Sequence, residues 1–419
     1  MQKSKPLTLR RNFSWTFIGN GVYAVCQWGM LMVLAKLGSP EMVGQFTLGL
    51  AVTAPIIMFT NLQLRGVQAT DAKHQYVFGD YLGLILLSTT LALLVIVGIS
   101  FSGGYRWETS LIIFLIGLAK AFEAISDVFF GLIQKHERMD RIAVSLMIKG
   151  PLSLLLLGIG VYLSGKVFWG VLGLVLAWAV VLFGYDIPSG LLIVKQGSKL
   201  QPRWHWKTLM NLLWLSLPLG LVMMLISFNS NIPRYFIERY LGERELGIFA
   251  ALAYLMVVGS MVVNALGQSA SPRLAKYYAE GDRLAFRQLL LKLVGLAALL
   301  GGIGVLLAAV AGKQILTLLY QSEYAQHTNL FVWLMVTAGV NYISSFLGYA
   351  MTAARYFRIQ IPLFATVASI SAIACLWLLP QQGLLGAVMA LLLGSISQLI
   401  ISVSVIIYVI SKLETHNYY

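Results

Sequence analysis

Three ionisable residues stand at i, i+3 and i+7 within one apolar stretch: Lys120, Glu123 and Asp127. On an α-helix those positions fall within about 60° of one another. At mid-membrane a lysine or aspartate costs roughly 2.5–3.5 kcal/mol on insertion scales. Such residues therefore face a protein interior or a wet cavity and pair there. The next apolar stretch carries Lys149, and the one after it carries Asp186, followed by Pro188. Asp127 lies eight residues before Lys135, and Lys149 eight residues after Arg141 on the returning helix. That matched depth predicts an Asp127–Lys149 pair. The cluster can serve as a buried ion-pair network, or it can hold a substrate or a coupling cation such as H+ or Na+. Glu123, Asp127 and Asp186 are the candidate acids, and Lys120 and Lys149 the candidate cations.

A second candidate lies in "NSNIPRYF", residues 229–236. Pro233 removes a helix hydrogen bond and crowds the carbonyl of Asn229. A carbonyl freed within a membrane needs a partner, which water in a cavity would supply. Asn229 and Asn231 add polar atoms, and Arg234 adds five N–H donors in a fork that suits phosphate. The competing reading of Arg234 is a snorkelling side chain paired with Glu238 at i+4. Asn20 and Gln27, seven apart and so on one helix face, stand in the corresponding place of the first apolar stretch.

These residues need a membrane around them. The chain is 58% hydrophobic and 11% charged, with a mean hydropathy of +0.80. Soluble domains carry roughly 25% charged residues. The surplus of 30 Lys+Arg over 16 Asp+Glu fits basic cytoplasmic loops, so no nucleic-acid partner is expected. No cleavable signal peptide is expected, because the first apolar run is too long for one. Cys26 and Cys375 lie far apart within apolar runs and suggest no disulfide. "GVYLSGK", Gly160 to Lys166, fits GxxxxGK but lacks the following Ser/Thr and the strand that a phosphate loop requires. The five histidines have no metal spacing. No nucleophile–base pair stands out, so neither an enzyme nor a cofactor or metal is expected.

Twelve spans are expected, at about 13–36, 43–64, 81–101, 109–133, 143–164, 167–194, 208–237, 246–267, 289–311, 328–352, 359–380 and 384–410. The side that holds both termini then carries 21 Lys+Arg and the other side seven. The positive-inside rule places both termini in the cytoplasm. Asp80 and Asp282 are expected as N-caps of the third and ninth spans.

Short pairs repeat in order. "GQF" at Gly44 returns as "GIF" at Gly247, Asn61 as Asn264, and "GDYL" at Gly79 as "GDRL" at Gly281. "GLIQKHERMDRI" from Gly131 matches "GYAMTAARYFRI" from Gly348, with Ser344 standing where Asp127 would fall. The pattern implies an N-terminal six-helix lobe (1–194), a cytoplasmic linker (195–207) and a C-terminal six-helix lobe (208–419). Such halves are related by a pseudo-two-fold along the membrane normal, with the site between them.

The chain resembles the bacterial oligosaccharide flippases, the Wzx-like polysaccharide transporters of the MOP superfamily. The resembling pieces are "ATDAKHQYVFGDYLGL" (69–84), "KAFEAISDVFFGLIQKHERMD" (120–140) and "SLPLGLVMMLISFNSNIPRYFIE" (216–238), with a fourth running from Gly247 to Asp282. The resemblance implies an all-α, MATE-like bundle of twelve transmembrane helices in the bacterial plasma membrane. Its implied cargo is an oligosaccharide on an undecaprenyl pyrophosphate lipid, moved from inner to outer leaflet by alternating access. Arg234, Lys149 and Lys120 would form the cationic surface for the pyrophosphate. Membrane lipids and the polysaccharide polymerase and chain-length machinery would be its partners. A cation antiporter of the same superfamily is the alternative, though it would want unpaired acids. A membrane glycosyltransferase would need a large extramembrane loop, and the longest loops here are under about 25 residues.

Overall fold

Helices account for almost every described residue, as lipid demands of a backbone that must satisfy its own polar groups. The structure, a computed structural model, describes residues 9–71, 75–193, 201–354, 356 and 359–415. Much of the expected linker, 195–200, lies outside the described residues. So do Lys73, Arg355 and Arg358, which were counted for orientation. The helices are α1 (Leu9–Leu37), α2 (Pro40–Asn61), α3 (Leu64–Thr70), α4 (Phe78–Ser102), α5 (Trp107–Lys135), α6 (Met139–Ser164) and α7 (Val167–Val181). A π turn, Leu182–Asp186, leads into α8 (Ile187–Leu191). Then come α9 (Trp206–Leu241), α10 (Glu243–Ala279), α11 (Arg283–Leu319), α12 (Thr328–Ala353), α13 (Gln360–Gln382) and α14 (Leu384–Thr415). Eleven helical segments are long and apolar enough to cross a membrane, so the chain is a multi-pass membrane protein. α5, which carries Lys120, Glu123 and Asp127, is of similar length (29 residues) but is not among the eleven.

Local signals explain several helix ends. Asp282 caps α11 as expected, its carboxylate accepting from the Ala285 N–H at 2.9 Å. Asp80 does not sit at the N-cap of α4. Val77 takes that place, and Asp80 reaches back from the first turn to accept the Val77 N–H at 3.0 Å. The correction is one of register, since the helix begins a turn earlier than the apolar run. Pro233 was expected to disrupt its helix, yet α9 runs unbroken through Pro218 and Pro233.

The chain forms two compact units, Met1–Ser227 and Phe228–Tyr419. In the first, α5 packs against α2, α3, α4 and α7, and α1 packs on α6. Leu62, Tyr81, Ile85, Val128 and Leu212 lie in one of its inner apolar clusters. In the second, α12 is the hub, packed on α10, α11 and α14. Its core includes Phe286, Leu293, Phe346 and Val409.

Candidate functional site

The site is assembled on α5, the most charged of the long helices in the first unit. Two layers can be distinguished by burial. In the inner layer the Lys149 ammonium on α6 lies 3.6 Å from Asp186 Oδ2, with side chains 1% and 0% exposed. Ser126 Oγ donates to Asp186 Oδ2 at 2.7 Å and Ser145 Oγ to Oδ1 at 2.5 Å. Lys149 Nζ also donates to Ser126 Oγ at 3.3 Å and lies over the rings of Phe130 and Trp178. Buried charges persist only when paired and hydrogen-bonded. Here α5, α6 and the end of the π turn each supply part of that requirement.

The turn explains why Asp186 is available. Ile187 N–H donates to Leu182 O, an i→i+5 bond. One extra residue is accommodated just before Pro188, whose missing N–H and ring would otherwise disturb the helix. The extra residue rotates Asp186 inward onto Lys149.

The outer layer is half-buried. Lys120 Nζ contacts Glu123 Oε2 at 2.7 Å, and Tyr23 Oη on α1 donates to Glu123 Oε1 at 3.0 Å. One turn further along, Asp127 accepts from Asn61 Nδ2 at 3.1 Å and lies 3.5 Å from Arg65 Nη1. Arg65 also donates to Gln134 Oε1 at 3.1 Å and sits over Phe130. Its position follows from a break: Leu62 and Gln63 both take left-handed φ, 53° and 52°. That conformation is costly for residues with side chains and clusters at functional sites. Trp178 lies between the layers, with Lys120 over its ring at 4.9 Å and Lys149 at 5.8 Å.

The expected Asp127–Lys149 pair is therefore not formed. The π turn brings Asp186 to Lys149, and Asp127 goes to Arg65 instead. Arg65 falls just past the expected span 43–64, on the side counted as cytoplasmic, and the break at Leu62–Gln63 carries no Gly or Pro signal. Tyr23 lies between Asn20 and Gln27, on the face already singled out. Asn20 itself bonds back to Thr16 O at 2.8 Å and is exposed.

In the second unit Arg234 Nη1 donates to Asn231 Oδ1 at 2.7 Å, one helical turn away. The i+4 pair with Glu238 is not formed, because Asn231 holds the guanidinium from the opposite direction. Asn231 is buried and Asn229 half-buried. Asn264, the counterpart of Asn61, accepts from Tyr349 Oη at 3.3 Å. Ser344, in the place of Asp127, bonds to its own helix at Val340 O. Asn61 and Asn264, and Asp127 and Ser344, therefore have different partners.

A family model described as polysaccharide biosynthesis protein matches residues 9–278. The chain belongs to this polysaccharide biosynthesis family. Within the family's reach, it is 29% identical over 393 residues to the capsular polysaccharide biosynthesis protein CapF of Staphylococcus aureus, covering 93% of this chain and 97% of that one. Among solved structures, an inward-facing multidrug resistance MATE transporter of the MOP superfamily aligns with a TM-score of 0.75 at 14% identity, over 96% of this chain and 99% of the other. The lipid II flippase MurJ, in an inward closed conformation, aligns with a TM-score of 0.68 at 12% identity, over 95% and 89%. The fold of this family member is thus that of these membrane proteins.

Proposed function

We propose that this protein flips a lipid-linked oligosaccharide, carried on undecaprenyl pyrophosphate, from the inner to the outer leaflet of the bacterial plasma membrane. It does so by alternating access, in the synthesis of a cell-surface polysaccharide. The observation that carries the reading is the outer layer of the charge network. Lys120, Glu123, Asp127 and Arg65 are 25%, 26%, 26% and 35% exposed, although they lie in or beside apolar helices. Charges at such depth require water around them. A sugar headgroup crossing hydrocarbon would lose its hydrogen bonds, and a wet face that offers both donors and acceptors replaces them. Arg234 and its amide neighbours supply the donors suited to a pyrophosphate.

The fold likeness to multidrug transporters supports a second reading, export of organic cations. Against it, each acid of the network has a basic partner: Glu123 with Lys120, Asp127 with Arg65 and Asp186 with Lys149. A strain lacking the gene should lose surface polysaccharide and accumulate the lipid-linked intermediate on the inner leaflet, and a plasmid copy should restore both. Unchanged surface glycan together with new sensitivity to organic cations would replace the first reading with the second.

A further inference from the structure

The first unit also holds a cavity of about 430 Å³, lined by none of the residues of the charge network. It lies among the first turns of α2, α5 and α7 and the loop that leads into α7. Glu108 lies near the start of α5 and Lys120 in its middle, so the cavity is about 18 Å along the helix from the nearest charge of the network at 1.5 Å per residue. The residues that decide its chemistry are Trp107, Glu108, Lys166, Phe168 and Trp169.

Most of the wall is apolar, yet it carries one charge of each sign. Neither the Glu108 nor the Lys166 side chain makes an ion pair or hydrogen bond with any described residue, and both are exposed. They do not neutralise one another. Trp107 and Trp169 are 68% and 51% exposed at helix ends, where an indole's apolar body and polar tip suit the level of lipid headgroups.

A ligand for this cavity must present a cation and an anion together and tolerate aromatic walls. A purely anionic headgroup would satisfy Lys166 and be repelled by Glu108. A neutral glycan would leave both charges with hydroxyl partners only. We propose that the cavity binds a phospholipid headgroup bearing both a phosphate and a primary ammonium. Lys166 takes the phosphate, Glu108 takes the ammonium, and the indole rings flank the cation. This site is separate from the translocation chemistry and does not depend on it.

The test uses the purified full chain in detergent, titrated with dihexanoyl phosphatidylethanolamine, the corresponding phosphatidylglycerol and the N-acetylated ethanolamine lipid. The first should bind saturably and at least about tenfold more tightly than the other two, a difference of one decade in Kd. Glu108→Gln and Lys166→Gln should each weaken it about tenfold, while the melting temperature without lipid stays unchanged because both side chains are exposed. Equal binding of the ethanolamine and glycerol lipids would overturn the proposal, as would unaltered binding by both variants. Saturable binding of soluble maltotriose that competes with the lipid and is lost in Glu108→Gln would overturn it too, and make the cavity a glycan site.

Discussion

Lys149 and Asp186 bury a full charge each, and the surrounding groups leave little of either unsatisfied. Removing one partner strands the other, which costs about 3–5 kcal/mol, whereas replacing both with apolar residues is often neutral. Lys149→Met and Asp186→Leu should therefore each lower the amount of protein in the membrane severalfold, and the double variant should recover most of it. A double variant less abundant than either single one would break the pairing. Asp127→Ala, at a side chain 26% exposed, should leave abundance near normal and reduce surface polysaccharide. Arg234 calls for a different substitution. If its fork holds a diphosphate, Arg234→Lys fails in transport with abundance unchanged, because an ammonium cannot bind in bidentate fashion. Full transport by Arg234→Lys would reduce the residue to a helix-turn partner of Asn231. In the sequence, insertion cost alone singled out Lys149 and Asp186 as residues needing partners. Who pairs with whom was not legible, because a 3.6-residue count cannot register the one-residue π turn.

Helix elements are where the chain is easiest to read, since long apolar runs bounded by Gly, Pro or charge have few other ways to satisfy their backbone. What escapes is how closely helices approach. α11 and α12 meet at Gly301 and Gly339: a Cβ built on Gly301 would fall 2.6 Å from the Gly339 Cα. Backbone cannot give way as a side-chain tip can, so the helices would have to separate. The neighbouring Gly302 has nothing within 4 Å of the same probe position. Gly301→Ala should then cost about 1–3 kcal/mol, the usual range for overpacking, and Gly302→Ala should be neutral or slightly stabilising as a helix substitution. Thermal unfolding of the two purified variants in one detergent provides the comparison. Equal midpoints would mean that α11 and α12 do not touch through Gly301. The sequence shows glycines at both positions and no difference between them; only the neighbouring helix separates their roles.

For the whole molecule, the uneven distribution of charge carries the most information. Of the 30 Lys+Arg residues, 21 fall on one side of the twelve-span layout and seven on the other, and arginine and lysine are retained on the cytoplasmic side during insertion. The count includes Arg65, which the structure shows reaching back to Asp127 rather than pointing into a loop. Moving it out of the tally still leaves the asymmetry nearly threefold, so the orientation does not rest on that residue. The layout itself depends on α5 crossing the membrane despite Lys120, Glu123 and Asp127, because without it every later span would reverse. The paired network would let it cross, since ion pairs within the unit lower the insertion penalty that lone charges would impose. Both native cysteines, Cys26 and Cys375, are buried and can be replaced to give a background without thiols. Single cysteines then go in at Ser39, between α1 and α2, at Gln381, at the end of α13, and at Gly197. A membrane-impermeant maleimide added to intact cells should label the first two, and should label the third only after the membrane is opened. Ser39 lies before α5 and Gln381 after it, so labelling of both from outside requires an even number of crossings between them, α5 included. Labelling at Ser39 without Gln381 would mean that α5 stays on one side of the bilayer, and labelling at Gly197 in intact cells would reverse the orientation altogether.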